Sequence, residues 1–197
     1  MKIAVVVLAG GEGRRMGGGK PLRMLAGATM IQRAVRQAAQ WSDMVAVSVR
    51  EGGQAGEFVA PEIVDKEGEG PLAGLAAALR FADAAGLDAV LTIPCDMPLL
   101  PPDLLDGLEL ALTTDLGAAI ASSGGALHPV CGLWRAESLE RLPAYRASGR
   151  SSLKGFAAQI GFAAVEWPVE SYDPFLNINR PEELAAAERL LATLRSR

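Results

Sequence analysis

A run of glycines and cations that follows a short apolar segment near the N-terminus constrains this chain most. The apolar segment is residues 3–7, and the run covers residues 8–20 with six glycines. An unbroken apolar segment rich in β-branched residues is typical of a strand buried on both faces, as in a parallel sheet. Ligands of open α/β sheets bind at the carboxyl ends of such strands. The run therefore lies where a ligand is expected.

The composition of this run suits a polyphosphate. Glycines let the backbone turn tightly and present N–H groups to an anion. Arg14, Arg15 and Lys20 add positive charge over the same few residues. A flexible linker is the alternative, but linkers rarely follow a buried strand or carry three cations. We therefore predict a loop that holds phosphates.

Two well-known phosphate loops are excluded by the residues present. A P-loop that used Lys20 would place Arg14 at its first glycine and Pro21 at its hydroxyl residue. A dinucleotide fingerprint that started at Gly11 would place Met16 at its last glycine. The run is therefore a third kind of phosphate loop.

Composition limits the class of protein. The chain has 197 residues, half of them hydrophobic, which is enough for one domain with a substantial core. A net charge of −4 without a long basic run argues against a nucleic-acid partner. No apolar stretch has membrane-spanning length, and no signal-peptide pattern is present, so we expect no membrane association. Cys95 and Cys131 are the only cysteines, which allows no disulfide framework and agrees with a cytoplasmic location.

The order of strand and helix patterns predicts an α/β fold, a three-layer Rossmann-like domain with a mostly parallel mixed sheet. Strands and helices alternate up to residue 112, which indicates parallel strands with right-handed crossovers. Two strands separated by a Ser-Gly-Gly loop then predict one reversed strand. We expect a single domain over residues 1–197, with a nucleotide-binding half (1–112) and an acceptor-binding half (113–197). The predicted strands are 3–7, 44–49, 62–65, 89–93, 118–121, 130–134 and 162–167, and the predicted helices are 29–39, 71–85, 102–112, 136–146, 152–159 and 181–194.

Asp96 is the strongest candidate outside the glycine-rich run. It follows a predicted strand and lies between Pro94 and Pro98, which stiffen the turn. Mg²⁺ binds through one or two carboxylates together with substrate phosphates, so one rigid aspartate beside a triphosphate is sufficient. The alternative is that Asp96 caps the helix before Leu104, a role for which Asp103 is better placed.

Three other places at the same edge of the sheet remain open. Asp65 ends a strand. It would accept a hydrogen bond from a sugar hydroxyl or a base amine, or it would orient a metal-bound water. The alternative is that it caps a helix or is merely solvated. Residues 70–74 would let a base or ribose lie against the backbone, or they form a tight helix start. Ser48 ends the second strand and would contact the base, although an exposed hydroxyl is the plainer interpretation.

The second half of the chain contains candidates for acceptor binding. His128 is the only histidine, so a zinc site is improbable; it contacts the acceptor or hydrogen-bonds at the sheet edge. Asn177 and Asn179 either point towards the metal or acceptor, or cap the last helix through the Asn179 side chain. Arg150 and Lys154 meet an anionic acceptor or are solvated surface charges.

Together these motifs resemble those of the molybdenum cofactor guanylyltransferases, the MobA family of GT-A-like nucleotidyltransferases. The residues that carry the resemblance span nearly the whole chain: Leu8-Ala9-Gly10-Gly11, Arg15-Met16-Gly17, Lys20, residues 70–74, Asp96-Met97-Pro98, His128-Pro129 and residues 177–184. The double glycine and the asparagine motif are the specific parts, because cytidylyl-transferring relatives tend to have Leu-Ala-Ala-Gly in the loop. Ser48 departs from the pattern and stands where an asparagine is often found.

The resemblance implies a substrate, a metal and an acceptor. GTP and Mg²⁺ would react with molybdopterin or Mo-molybdopterin to form the guanine dinucleotide cofactor and pyrophosphate. By position, the GTP contacts would be Leu8, Ala9, Gly10, Gly11, Lys20, Asp65 and Asp96, the metal ligand Asp96, and the catalytic residues Lys20, Asp96 and Arg15. We expect a cytoplasmic monomer that works with molybdenum-cofactor biosynthesis and insertion proteins.

Two alternatives remain at this point. One is a related nucleotidyltransferase that uses CTP or a sugar or alcohol phosphate acceptor. The other is a non-catalytic nucleotide-binding protein that carries the cofactor. The presence of both Lys20 and Asp96 argues against a carrier.

Overall fold

A computed structural model describes residues 1–10, 19–64 and 70–195. The strands are β1 (Ile3–Leu8), β2 (Met24–Leu25), β3 (Ala28–Thr29), β4 (Val45–Val49), β5 (Glu62–Val64), β6 (Ala89–Pro94), β7 (Ala118–Ser123), β8 (Ala126–Arg135) and β9 (Phe162–Trp167). The α-helices are α1 (Met30–Trp41), α2 (Pro71–Ala84), α3 (Leu104–Ala111), α4 (Leu142–Ala147), α5 (Leu153–Ile160) and α6 (Pro181–Arg195). Two 3₁₀ helices cover Lys20–Leu22 and Ala136–Arg141.

One seven-stranded sheet joins the two halves of the chain. Its strand order is β5-β4-β1-β6-β8-β7-β9, while β2 and β3 form a separate two-stranded sheet. Among the strands described, β8 alone runs antiparallel to its neighbours β6 and β7 in the large sheet, and β9 pairs in parallel with β7. The predicted α/β fold with a mostly parallel mixed sheet and one reversed strand is confirmed.

Helices cover both faces of the sheet because successive strand residues point to opposite faces. Val5 and Val7 belong to one core cluster with α1 and α3. Ala4 and Val6 belong to a second cluster with α2, α4 and α5. All four β1 residues are fully buried, which explains the continuous apolar pattern of this strand. The sheet between these two helical layers forms the predicted three-layer arrangement.

The predicted helix over residues 136–146 is wrong as a single element. The segment divides into the 3₁₀ helix Ala136–Arg141 and the short α4, which has Pro143 in its first turn. Proline has no N–H to donate, so it is tolerated in the first turn of a helix but breaks a helix interior. Within the described part of the chain, none of the helices is both long and apolar enough to span a bilayer.

A bulge in β8 shapes the end of the sheet where the second half meets the site. Ile120 of β7 pairs with Gly132, but the next residue, Ala121, pairs with His128. Residues 129–131 are therefore extra on β8, and Pro129 among them has no N–H for the ladder. Bulges of this kind bend a strand and redirect its side chains.

Candidate active site

The candidate site lies at the carboxyl ends of β1, β4 and β6. Leu8, the last residue of β1, is in register with Ser48 of β4 and Pro94 of β6. Backbone hydrogen bonds continue beyond the strand, from Ala9 N to Ser48 O at 2.9 Å and from Cys95 N to Leu8 O at 3.2 Å. The start of the glycine-rich run and the turn that carries the predicted metal ligand therefore share one edge of the sheet.

Lys20 lies at the centre of a polar cluster at this edge. Its Nζ donates to Asp96 Oδ2, to Asn179 Oδ1 at 2.8 Å and to Asn177 Oδ1 at 3.4 Å. These three bonds use all the donors of the ammonium group. The side chains of Lys20 and Asp96 are 11% and 15% exposed. The structure thus brings together the predicted cation, the predicted metal ligand and both asparagines, in a setting far more buried than an exposed sheet edge.

The second carboxylate oxygen of Asp96 has the properties of a metal ligand. Oδ1 is buried and has no hydrogen-bond partner within residues 1–10, 19–64 and 70–195, and buried polar atoms normally have one. Mg²⁺ prefers oxygen ligands and is commonly held by one carboxylate together with phosphates. The residues described contain no group of three or more acidic, histidine or cysteine side chains that would hold a metal alone. Asp96 therefore fits a Mg²⁺ ion that takes its other ligands from a nucleotide and water.

Asn177 and Asn179 reach Lys20 because backbone bonds hold the segment that carries them. Ile178 N, between the two asparagines, donates to Asp96 O at 2.9 Å. The Glu183 carboxylate accepts from Asn179 N at 2.5 Å and Arg180 N at 3.0 Å through Oε2. A glutamate in the first turn that reaches back in this way satisfies free N–H groups at a helix start. Glu183 thus caps α6, and the cap predicted as one role of the Asn179 side chain is wrong.

Comparison with known proteins places the chain in a family. The family model of the MobA-like NTP transferase domain matches residues 5–161. The chain belongs to this family. It is 40% identical over 195 residues to the molybdenum cofactor guanylyltransferase of Cereibacter sphaeroides, covering 97% of this chain and 98% of the relative.

Solved structures confirm the fold of this MobA-like chain. The molybdopterin-guanine dinucleotide biosynthesis protein A of Archaeoglobus fulgidus is 26% identical and has a TM-score of 0.76, covering 96% of this chain and 99% of that one. A 2-C-methyl-D-erythritol 4-phosphate cytidylyltransferase of Thermus thermophilus is 21% identical with a TM-score of 0.68, covering 98% and 100%. The second likeness concerns the fold alone, and the same fold therefore occurs in an enzyme named for cytidylyl transfer.

Several residues predicted for the MobA-like site lie outside the described residues. They are Gly11, Arg14, Arg15 and Asp65. Gly10 is described, and its φ is not in the left-handed range. A Cβ atom on Gly10 would lie 3.4 Å from Arg50 Cγ, so Arg50 borders the beginning of the loop.

The glycines of residues 70–74 have separate structural reasons. Gly70 precedes α2 with φ 80° and ψ −171°, a conformation that is essentially restricted to glycine. A Cβ atom on Gly74 would lie 3.1 Å from Leu8 Cδ2 and 3.6 Å from Ser48 Oγ. Ser48 is 2% exposed, so its interpretation as an exposed hydroxyl is wrong. The start of α2 therefore packs closely against Leu8 and Ser48 at the candidate nucleotide site.

His128 is held by contacts within the fold. Its ring stacks on Phe175 with centroids 4.7 Å apart, and its Nε2 lies 2.7 Å from Ser123 Oγ. Burial lowers the pKa of His128, although Asp173 and Glu166 act in the opposite direction. Of its two predicted roles, hydrogen bonding at the sheet edge is confirmed, and contact with the acceptor stays a prediction.

Two further predictions concern aspartate caps and surface cations. Asp103 makes no side-chain cap to α3 and instead accepts from Trp167 Nε1 at 3.1 Å, so the predicted Asp103 cap is wrong. The Arg150 guanidinium lies over the Tyr145 ring and donates to Gln159 at 2.7 Å. These contacts place Arg150 in a surface network, which agrees with the surface-charge alternative.

Sequence reasoning assigned no role to three residues that organise the site. Glu183 had a local signal, since it comes two residues after Pro181 in a pattern typical of a helix start. Ser123 and Asp173 had none. The Ser123 hydroxyl donates to Asp173 Oδ1 at 2.8 Å, a contact between residues that are far apart in the sequence.

Proposed function

We propose that this chain transfers GMP from GTP to molybdopterin or Mo-molybdopterin, forming the guanine dinucleotide cofactor and releasing pyrophosphate. The observation that carries the proposal is the Lys20–Asp96 cluster, with Lys20 at the end of the glycine-rich run. It occurs in a chain that is 40% identical to an enzyme named molybdenum cofactor guanylyltransferase. In this proposal the protein acts in the cytoplasm. It acts there as a monomer that cooperates with cofactor biosynthesis and insertion proteins.

The reaction needs positioning and charge neutralisation more than a protein nucleophile. The terminal phosphate of the pterin would attack the α-phosphorus of GTP in line with the leaving pyrophosphate. Lys20, Arg15 and the amides of the glycine-rich run would hold the triphosphate. Leu8, Ala9, Gly10, Gly11 and Asp65 would complete the GTP site.

Asp96 supplies the position for Mg²⁺ in this proposal. Its Oδ1 would be the protein ligand, because Oδ2 is already paired with Lys20. When bound, Mg²⁺ would neutralise phosphate charge and favour in-line transfer. Asn177 and Asn179 would keep the Lys20 ammonium beside the triphosphate. The chain would work as a single domain, since strands of both halves belong to one sheet.

A nucleotide panel tests the base and the acceptor together. GTP with Mg²⁺ should bind at least about tenfold tighter than CTP, a difference of roughly 1.4 kcal/mol. Pyrophosphate should be released with GTP and molybdopterin but not when a sugar phosphate replaces molybdopterin.

The alternative functions give different results in the same panel. Equal affinity for both nucleotides, or preference for CTP, would overturn the guanylyl assignment and favour a cytidylyl-transferring enzyme. Tight binding of GTP without any pyrophosphate release in the presence of molybdopterin would favour a cofactor carrier.

A further inference from the structure

The two asparagines beside Lys20 lie on a connecting segment between β9 and α6. We call residues 173–179 the asparagine strap. Phe175 and Ile178 of the strap are 2% and 0% exposed, so it is packed into the molecule. Asn177 and Asn179 flank Ile178 and direct their amide oxygens to Lys20 Nζ. The position of the strap therefore determines whether both amides reach the site.

The end of the strap next to α6 is fixed close to the reaction centre. Ile178 N donates to Asp96 O at 2.9 Å, and Glu183 Oε2 accepts from Asn179 N at 2.5 Å. These bonds hold Asn179 directly. Asn177 precedes Ile178 directly, so the bond from Ile178 N holds it on one side. On its other side, its placement depends on how the opposite end of the strap is held.

The opposite end is fixed by the Asp173 carboxylate. Asp173 Oδ1 accepts from Ser123 Oγ at 2.8 Å and from Phe175 N at 2.8 Å, and Leu176 N donates to Asp173 O at 3.1 Å. One carboxylate oxygen thus connects the end of β7 to the turn that precedes Asn177. Ser123 is 3% exposed, so water does not readily replace this bond.

His128 extends this connection to β8. A carboxylate only accepts hydrogen bonds, so the Ser123 hydroxyl must donate its proton to Asp173. The contact of 2.7 Å between Ser123 Oγ and His128 Nε2 then requires the histidine to donate. The His128 ring also stacks on Phe175 of the strap. Ser123 therefore receives one bond from β8 and makes one to the strap.

We propose that Ser123 and Asp173 are positioning residues that place Asn177 of the strap against Lys20. For the activity measurements only, this inference rests on the proposed guanylyl transfer. The neighbouring Ser122 is a matched control, because it is buried to a similar degree at 5% exposed. Ser122 Oγ bonds to Glu166 Oε2 at 2.6 Å and Val165 O at 3.1 Å, both on β9 and outside the strap.

A spectroscopic test requires no turnover. Asn177 and Asn179 are the only asparagines in the chain, so ¹⁵N-asparagine labelling reports on the strap alone. Ser123→Ala should shift the Asn177 side-chain amide signals strongly and those of Asn179 less, whereas Ser122→Ala should leave both pairs near their parent positions. Unchanged signals in Ser123→Ala, or equal shifts in both serine variants, would overturn the proposal.

Kinetic measurements test whether displacing Asn177 from Lys20 lowers turnover. Ser123→Ala should lower kcat by about tenfold, since small displacements of positioning groups are costly, and Ser122→Ala should stay within about twofold. Asp173→Ala should resemble Ser123→Ala, and Asp173→Asn should retain more activity because its amide oxygen still accepts from Phe175 N. Thermal unfolding of each variant separates these effects from loss of the fold.

A double-mutant cycle distinguishes the positioning of Asn177 by Ser123 from a general destabilisation of the fold. If Ser123 acts through Asn177, then Ser123→Ala should cost little further activity once Asn177→Ala is present. Additive losses in the double variant would contradict the proposal. If no variant or parent shows turnover, the proposed guanylyl transfer fails, while the asparagine spectra still decide the role of Ser123.

Discussion

The two halves of the chain place their polar side chains in the site by different means. In the first half, Asp96 lies just beyond the end of β6, and the backbone ladder that joins β6 to β1 sets its position. In the second half, Asn177 and Asn179 lie on a strap that is held by the side chains of Ser123 and Glu183. Groups positioned by a sheet ladder tolerate changes in nearby side chains, whereas the strap depends on individual polar contacts.

The largest expected effect belongs to the first half. Asp96→Asn keeps the size of the side chain and one oxygen but removes the charge that pairs with Lys20 and that, in the proposed function, anchors Mg²⁺. Loss of one such electrostatic element costs on the order of a hundredfold or more in rate. Steady-state kinetics at saturating Mg²⁺ should show this loss, while GTP binding without metal should change much less.

The outcome for Asp96 also tests the comparison between the halves. If Asp96→Asn turns over within a few-fold of the parent, the metal ligand lies elsewhere. A loss no larger than that of the Ser123→Ala strap variant would remove the expected distinction between the two halves.

Unfolding free energies should show whether Lys20 and Asp96 stabilise the fold as a pair. Lys20→Met leaves the Asp96 carboxylate without its cation, and breaking a buried pair costs on the order of 3 kcal/mol of unfolding free energy. The double variant Lys20→Met with Asp96→Asn should recover part of this loss, because no unpaired charge remains. Chemical denaturation of both single variants and the double variant measures the coupling.

Nucleotide binding provides the control for this pair. Lys20→Met should weaken GTP binding both with and without Mg²⁺, because in the proposed function the ammonium acts on phosphate directly. Recovered stability together with recovered activity in the double variant would contradict a catalytic role for the pair. Strictly additive losses of stability would contradict the coupling between Lys20 and Asp96.

The smallest expected effect is the pH response of the second half. Burial lowers the pKa of His128, so the folded protein binds this proton less readily than the unfolded chain does. Its contribution to stability is therefore present above the unfolded pKa of about 6.5 and is lost as the pH falls through the lower folded value. As the pH falls from about 7 to 5, the melting temperature of His128→Gln should accordingly decrease less than that of the parent. Parallel pH profiles for both proteins would show that His128 binds its proton equally in the folded and unfolded states, which would contradict a lowered pKa.

Much of the fold could be predicted because its signals are local. Buried parallel strands such as β1 and β6 appear as continuous apolar runs, and the capping box of Thr29 with Gln32 marks the start of α1. The failures concern side chains with several possible partners. Asp103 bonds to Trp167 and makes no cap to its helix, and Ser48 is buried although its strand ends nearby.

The sequence by itself determined the chain order of the seven strands of the large sheet and the turn that carries Asp96, because each depends on neighbouring residues. Only the tertiary structure decided that Lys20 pairs with Asp96 and both asparagines, and that Ser123 holds the strap. Polar side chains have no period in the sequence that identifies a distant partner. Their contacts arise only after apolar burial has brought the chain segments together and excluded the water that would otherwise bind them.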